Sequence, residues 1–499
     1  MMDTDLVVIG CGAAGLMAAV TAGELGLKCV ALERRHRVGL KLLMCGNNRC
    51  NISHAFNVEQ MLAAYGEPVE SFLRSAITQF APQTLCRWFS RNGLATCIKN
   101  ERVYPTTENG DDVLHCFTDR MRDLAVPLML NCPVVRLEPL DGGGYRVVCE
   151  KLSLTARKVL LATGGVSYPK TGSVGDGQRM LTDLGVEVTP LRAGLAGVDV
   201  NDNWLQCNDK CEFLNVKATV SDDHGVFGVT SGNMLCEGGT LRGTAIFDAT
   251  RLIAHRQPKS FGITLDLIPQ MGTAFADAAL KKRGGLKSLG IPEPLVLALE
   301  RQLPKDSAGQ WLKALPLEVK CIRPLKEAIV TVGGVALSEV NPQTMELFKL
   351  SGIYVTGELL DVDGPTGGFN LHAAFATAHL AVRAIAETLG VMDKSRIFVK
   401  EAPRDVMSSD RGGGRGGQGR RAFDGGKMEN GERTAGWKSK NAQGAPMGKD
   451  ASKIDRGKHA PAHARSRADS RPGNRWDNSE FERKRTRPSD GITRNRETN

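Results

Sequence analysis

At 499 residues the chain is too long for one simple core and suggests two or three domains. Its 13 cysteines are odd in number and scattered up to Cys321, with no C-x-x-C pair and no Cys/His cluster of zinc spacing, which fits a reduced cytoplasm and argues against a disulfide framework or a structural metal. Nearly all of the net charge of +10 sits at the C-terminal end, where residues 401–499 hold 23 Lys and Arg against 14 Asp and Glu, while the rest of the chain holds 42 against 41.

The start, MMDTDLVVIG, has no basic region ahead of its apolar run, and the most apolar stretch, residues 6–23, is broken by four glycines. A cytoplasmic protein without signal peptide or membrane span is expected. Leu6 to Ile9 then reads as a buried parallel strand. Gly10, Gly12 and Gly15 follow as G-x-G-x-x-G, with Ala14 inside the motif. In this pattern the first glycine permits a tight turn, the second lets the backbone approach a pyrophosphate, and the third lets helix and strand pack closely. The helix is expected to run to about Leu25 and stop at Gly26, its N-terminus offering free N–H groups and partial positive charge to a diphosphate. A second strand, Lys28 to Leu32, ends at Glu33, where a carboxylate can accept both ribose hydroxyls of an adenosine. Strand, helix, strand and acid in register predict dinucleotide binding, with FAD and NAD undecided at this point.

Next comes KLLMCGNNRCNIS, in which Cys45 and Cys50 stand at the spacing of a flavoenzyme redox dithiol. Residues 145–165 predict a strand pair whose second member, Lys158 to Ala162, leads into Thr163, Gly164 and Gly165. Between about 195 and 330, short β-branched runs such as Asn215 to Val220 and Phe261 to Leu267 alternate with helical stretches such as Pro294 to Leu303. An apolar strand then reaches Gly357 and Glu358, and a Gly-rich turn precedes a helix beginning near Leu371. The last hundred residues, with RGGGRGGQGRR at 411–421, are too poor in apolar residues to offset ordering entropy and are expected to be a disordered basic tail. Such a tail is either a solvated appendage or a weak contact to nucleic acid.

Four long strings carry a family resemblance: GLKLLMCGNNRCNIS (39–53), ATGGVSYPKTGSVGDG (162–177), TVGGVALSEVNPQTME (331–346) and GELLDVDGPTGGFNLHAA (357–374). Over roughly residues 4–390 the chain resembles the bacterial flavoprotein family that includes the 3-dehydro-bile-acid reductases and the aminoacetone-oxidase-like FAD enzymes. The fold so implied is α/β: a Rossmann-like FAD-binding domain of the two-dinucleotide-binding type (1–194 and 331–395), an inserted mixed α/β substrate domain (195–330) and the tail (396–499). The resemblance further implies FAD contacts from Val134, from Ala162, Thr163 and Gly164, and from Gly357, Gly368, Asn370 and Leu371. It puts Glu358 or Asp361 near the ribityl-pyrophosphate. Lys41 and Arg49 are expected to neutralise diphosphate charge, and Cys50 and Asn51 to belong to a flavin-cradling loop. Cys45 stands where relatives carry Ser or Thr, and Gly243, Thr244 and Ala245 stand where they show Ser-Gly-Pro-Ala. The substrate therefore does not carry over.

The implied activity is oxidoreduction of a small molecule, with hydride passing through flavin N5 and NADH or NADPH visiting transiently, since no second G-x-G-x-x-G is present. Candidate proton donors are Tyr168, Lys170 and His372, each with a plainer reading as a turn or a hydrogen-bonded structural residue. Two alternatives stay open: a flavin disulfide reductase using Cys45 and Cys50, and an RNA-associated flavoprotein acting through its tail.

Overall fold

The computed structural model describes residues 3–391 apart from Asn47 and Arg283. The expected tail, 396–499, lies outside the described residues. A parallel sheet runs in the order Leu128–Met129, Cys29–Leu32, Thr4–Ile9, Ser153–Leu161, Ile353–Val355. Its register places Val8 opposite Ala31 on one side and Leu160 on the other. Leu6, Val7 and Val8 are wholly buried, which is why the first strand is apolar throughout rather than alternating. Strand Ser153–Leu161 has two duties: its first half closes an antiparallel meander with Val134–Pro139 and Tyr145–Cys149, and its second half joins the parallel sheet.

The helix Ala13–Leu25 ends where expected, on Gly26 in the left-handed region (φ 79°), whose N–H returns to the last turn. A Cβ on Gly15 would lie 1.7 Å from the Gly10 carbonyl oxygen, so only glycine lets this helix sit on its strand. Helix Phe369–Thr388 packs against the first helix, with Ala373, Ala374, Ala378 and Ala381 buried along it. It begins two residues earlier than the sequence predicts because Gly368 (φ 96°) makes the turn into it. There a Cβ would meet the Ser53 carbonyl at 2.5 Å.

The chain leaves this layer through Arg192–Gly194 and returns through Val330–Val332, two strands paired antiparallel. Between them the expected alternation of strands and helices becomes a seven-stranded antiparallel sheet built on the long hairpin Cys211–Asp222 and Gly225–Glu237. Helix Thr244–Arg256 lies on that hairpin, and helix Glu293–Glu300 takes up most of the stretch predicted as helical, ending three residues before Leu303. The buried residues form two separate clusters, one around Val8, Leu160 and Phe375 and one around Trp204, Val220 and Leu265. Among the described residues no helix is long and apolar enough to cross a membrane, and no group of three or more His, Cys, Asp or Glu is placed to hold a metal ion.

Candidate functional site

A cavity of about 770 Å³ opens at the C-terminal ends of the parallel strands, where the first strand meets its glycine turn. Gly10, Gly12, Ala14, Glu33, Lys41, Arg49, Asn51 and Val134 line it, as do Ala162, Thr163, Gly164, Gly357, Glu358, Gly368, Asn370 and Leu371. Elements up to 361 residues apart in sequence thus meet in one wall, drawn together by the sheet order and by the Phe369–Thr388 helix. From the inserted segment come Asn233, Arg242, Gly243, Thr244, Phe247 and Arg323.

Glu33 is buried at the end of the second strand, where its two oxygens accept the backbone N–H groups of Cys11 (2.9 Å) and Arg35 (2.8 Å). Burial pushes its carboxyl up from the ordinary value, against the lowering effect of those two N–H groups and of Arg34 and Arg35. A carboxylate has lone pairs left for two ribose hydroxyls. Glu358 is held by a partner the sequence does not reveal: Lys41 Nζ donates to its two oxygens at 2.8 and 2.6 Å and to Ser167 Oγ at 2.6 Å. The Thr331 N–H adds 2.8 Å to the same carboxylate. Lys41 is therefore an ion-pair partner inside the cradle before any diphosphate enters. Asn370 holds the Gly-rich turn, its side chain accepting from the Gly364 N–H (2.9 Å) and donating to the Gly364 carbonyl (2.8 Å).

Five expected residues do not line the cavity. Gly15 acts behind it, in helix packing. Cys50 is fully buried with φ 54°, and its backbone N–H bonds the Cys45 carbonyl (3.1 Å), so it shapes the loop from inside. Asp361 points away and accepts from Thr189 Oγ1 (2.9 Å), which leaves Glu358 as the acid of that pair in the cradle. Lys170 lies in the short 3-10 turn Pro169–Thr171. His372 is wholly buried, with Nδ1 2.9 Å from Ser53 Oγ. Tyr168 does line the cavity, with φ 51° and its carbonyl accepting from the Thr171 N–H (2.9 Å) and hydroxyl (2.8 Å). Burial pushes its phenol up from the ordinary value.

Burial lowers His372 to about 4, so the folded protein holds it neutral. Because this value lies below the unfolded one, the unfolded chain takes up the proton first. Stability is fully present above about pH 6.5 and declines by up to about 3 kcal/mol as pH falls toward 4. Urea unfolding followed between pH 7 and 4.5 should show that decline, flattened in His372→Asn; equal slopes for both proteins would assign the decline to other groups.

Both thiols of the proposed dithiol are free. Burial pushes Cys45 up to about 11 and Cys50 well above the ordinary thiol range, the opposite of what an attacking thiolate needs. Cys45→Ser should leave turnover within about twofold and produce no loss of a thiolate-to-flavin band; a loss of activity greater than tenfold would restore the dithiol reading.

The cavity fits FAD on three observations. A Cβ on Gly12 would meet nothing within 4 Å, so the second glycine of the motif faces open space as close diphosphate approach requires. Asn51 Oδ1 is buried beside Gly368 at the wall with no hydrogen-bond partner, a polar atom left for a ligand. Gly368, Asn370 and Leu371, entering a 20-residue helix, line the wall with its positive end. These residues would hold the adenosine at Glu33, the diphosphate at Gly10 to Ala14, and the isoalloxazine between Asn51 and Leu371.

Comparison with known proteins agrees. The profile of the HI0933-like protein Rossmann domain matches residues 4–384. The chain is 28% identical over 415 residues to 3-dehydro-bile acid delta(4,6)-reductase of Clostridium scindens, spanning 76% of this chain and 98% of that protein. It is 25% identical over 396 residues to the ribosomal RNA dihydrouridine synthase of Escherichia coli, spanning 75% and 96%. Among solved structures, 3-ketosteroid delta1-dehydrogenase from Sterolibacterium denitrificans superposes with TM-score 0.46 at 15% identity, over 77% of this chain and 99% of that one. With the family profile matched over residues 4–384 and a cavity that fits the cofactor, the chain belongs to the HI0933-like Rossmann-domain family of FAD-dependent oxidoreductases.

Proposed function

We propose that this enzyme reduces a carbon–carbon double bond conjugated to a carbonyl, with a pyrimidine ring of ribosomal RNA as the acceptor and NADH or NADPH as the reductant. When bound, FAD supplies hydride to the acceptor and regains it from the nicotinamide. The observation that carries the reading is the set of arginines brought to the cavity. Arg49, Arg102, Arg242 and Arg323 all line the cavity; Arg49 pairs with Glu108, Arg242 with Glu237 and Arg323 with Asp199 and Glu327, while Arg102 makes no ion pair among the described residues. A polyanionic chain suits such a wall, because each phosphate neutralised releases counterions. Support comes from the Escherichia coli relative and from the basic residues 401–499. Uracil and a 3-oxo steroid with ring unsaturation offer the same reducible unit, so one site chemistry serves both named relatives. A steroid acceptor is the second reading, favoured by the apolar wall residues Leu195, Leu235 and Phe247.

The test is anaerobic stopped-flow reduction of the holoenzyme by NADH and by NADPH, followed by mixing with transcribed, unmodified ribosomal RNA or with a 4-en-3-one steroid. Reoxidation by RNA with a gain of two hydrogens per uridine, weakened by deletion of residues 401–499, is expected. Reoxidation by the steroid alone would select the second reading. Reduction by an amine but by neither nicotinamide would overturn both.

A further inference from the structure

Helix Thr244–Arg256 of the inserted segment has two faces toward the site. Its first turn, through Thr244 and Phe247, lines the cavity. Asp248, Arg251 and His255, spaced i, i+3, i+7 and therefore stacked on one side of the helix, reach the Gly-rich turn at 363–368. Asp248 accepts the Thr366 N–H at 2.7 Å and the Thr366 hydroxyl at 2.8 Å. Arg251 Nε donates to Asp363 Oδ2 at 2.5 Å, and its Nη2 donates to the Asp363 carbonyl at 2.9 Å and the Tyr65 carbonyl at 3.3 Å. His255 Nε2 lies 3.0 Å from Asp363 Oδ1. The Tyr65 hydroxyl in turn donates to the Phe369 carbonyl at 2.8 Å.

These contacts are buried: the side chain of Asp363 is 1% exposed and that of Arg251 10%. Apolar side chains would dock a helix on a turn at less desolvation cost, but without direction. What the polar set adds is orientation, since Asp248 grips the Thr366 N–H and Arg251 the Asp363 carbonyl, while the remaining bonds fix the side chains of the same two residues. That turn delivers Gly368, Asn370 and Leu371 to the cavity wall at the start of helix Phe369–Thr388. Its partial positive charge acts only over the first helical turn, so a small swing of the entry changes the field at the cofactor.

We propose that Asp248 and Arg251 are positioning residues that aim the N-terminal end of helix Phe369–Thr388 at the flavin from across the inserted segment. The proposal rests on the FAD assignment, which the colour and flavin content of wild-type protein test separately. The helix that shapes the acceptor side thereby also sets the electrostatics of the cofactor side.

Full-length holoenzyme variants decide it, read by the FAD dissociation constant and by the midpoint potential of bound flavin. Asp248→Ala and Thr366→Val should each weaken FAD by about tenfold, as expected for lost hydrogen bonds to a charged acceptor, and shift the potential to more negative values as the positive helix end drifts. Asp248→Asn keeps an oxygen for the Thr366 N–H and should restore both readouts to within about threefold and to the wild-type potential. A general loss of packing would lower the melting temperature without moving the potential. Arg251→Met should behave as Asp248→Ala, and if it fails to fold the Asp248 and Thr366 variants decide alone. Unchanged affinity and potential in Asp248→Ala and Thr366→Val would overturn the proposal, and so would Asp248→Asn behaving as Asp248→Ala.

Discussion

Glu33→Ala is expected to raise the FAD dissociation constant by about a hundredfold or more. Two hydrogen bonds from the ribose to a charged acceptor are lost, each on the order of 1.5–3 kcal/mol, and 1.4 kcal/mol is a factor of ten. A second loss compounds the first. Glu33 also takes the N–H groups of Cys11 and Arg35, and Cys11 lies inside the fingerprint turn between Gly10 and Gly12. Without the carboxylate the buried Cys11 N–H and the half-buried Arg35 N–H are orphaned and the turn that meets the diphosphate loosens, so apoprotein stability falls as well. Glu33→Gln keeps one acceptor oxygen and should fall between. Equilibrium titration of apoprotein with FAD reads the effect directly; an affinity within threefold of wild type would remove Glu33 from the adenosine site.

Lys41→Met should destabilise the protein by about 3 kcal/mol, the low end for breaking a buried ion pair, because both side chains keep some solvent contact. They are 22% and 20% exposed. Over residues 3–391, at about 2.1 cal/mol/K of unfolding entropy per residue, that corresponds to a melting temperature lower by roughly 4 °C. The geometry predicts the rescue. Glu358 Oε1 accepts from Thr331 N–H (2.8 Å) and Ser167 Oγ (3.3 Å) besides Lys41 Nζ (2.8 Å), whereas among the described residues Oε2 meets Lys41 Nζ (2.6 Å) alone. In Lys41→Met with Glu358→Gln, the amide oxygen can keep the first set while the amide nitrogen replaces the oxygen that has lost its cation. Most of the lost stability should return. A double variant no better than Lys41→Met would mean that Lys41 acts by packing and not by charge.

The first unit of the fold was legible because its determinants are neighbours in sequence. The apolar run, three glycines, the Gly26 stop and Glu33 each act on backbone within a few residues, and the structure repeats them nearly residue for residue. The late strand and turn at 353–368 were legible for the same reason. His372 shows the limit. It follows Asn370 and Leu371 in sequence, but at about 100° per residue the helix turns it into the core while Ala373 and Ala374 return to the cavity. Nothing local sets that rotation; packing against helix Ala13–Leu25 does.

Asp361 and Glu358 divide in the same way. Both are acids beside a glycine-rich turn, and only the arrival of Lys41, 317 positions away, and of Thr189 decides which faces the cofactor. The sequence by itself determined the dinucleotide-binding unit, the glycine positions and the adenosine carboxylate, because backbone conformation and element period are written in adjacent residues. Only the tertiary structure decided which acid, histidine and cysteine enter the cavity, and that Asp248 and Arg251 hold the turn beside it. Those choices depend on how elements from distant parts of the chain rotate against one another, and the free energy that sets the rotation comes from burial and ion pairing across them.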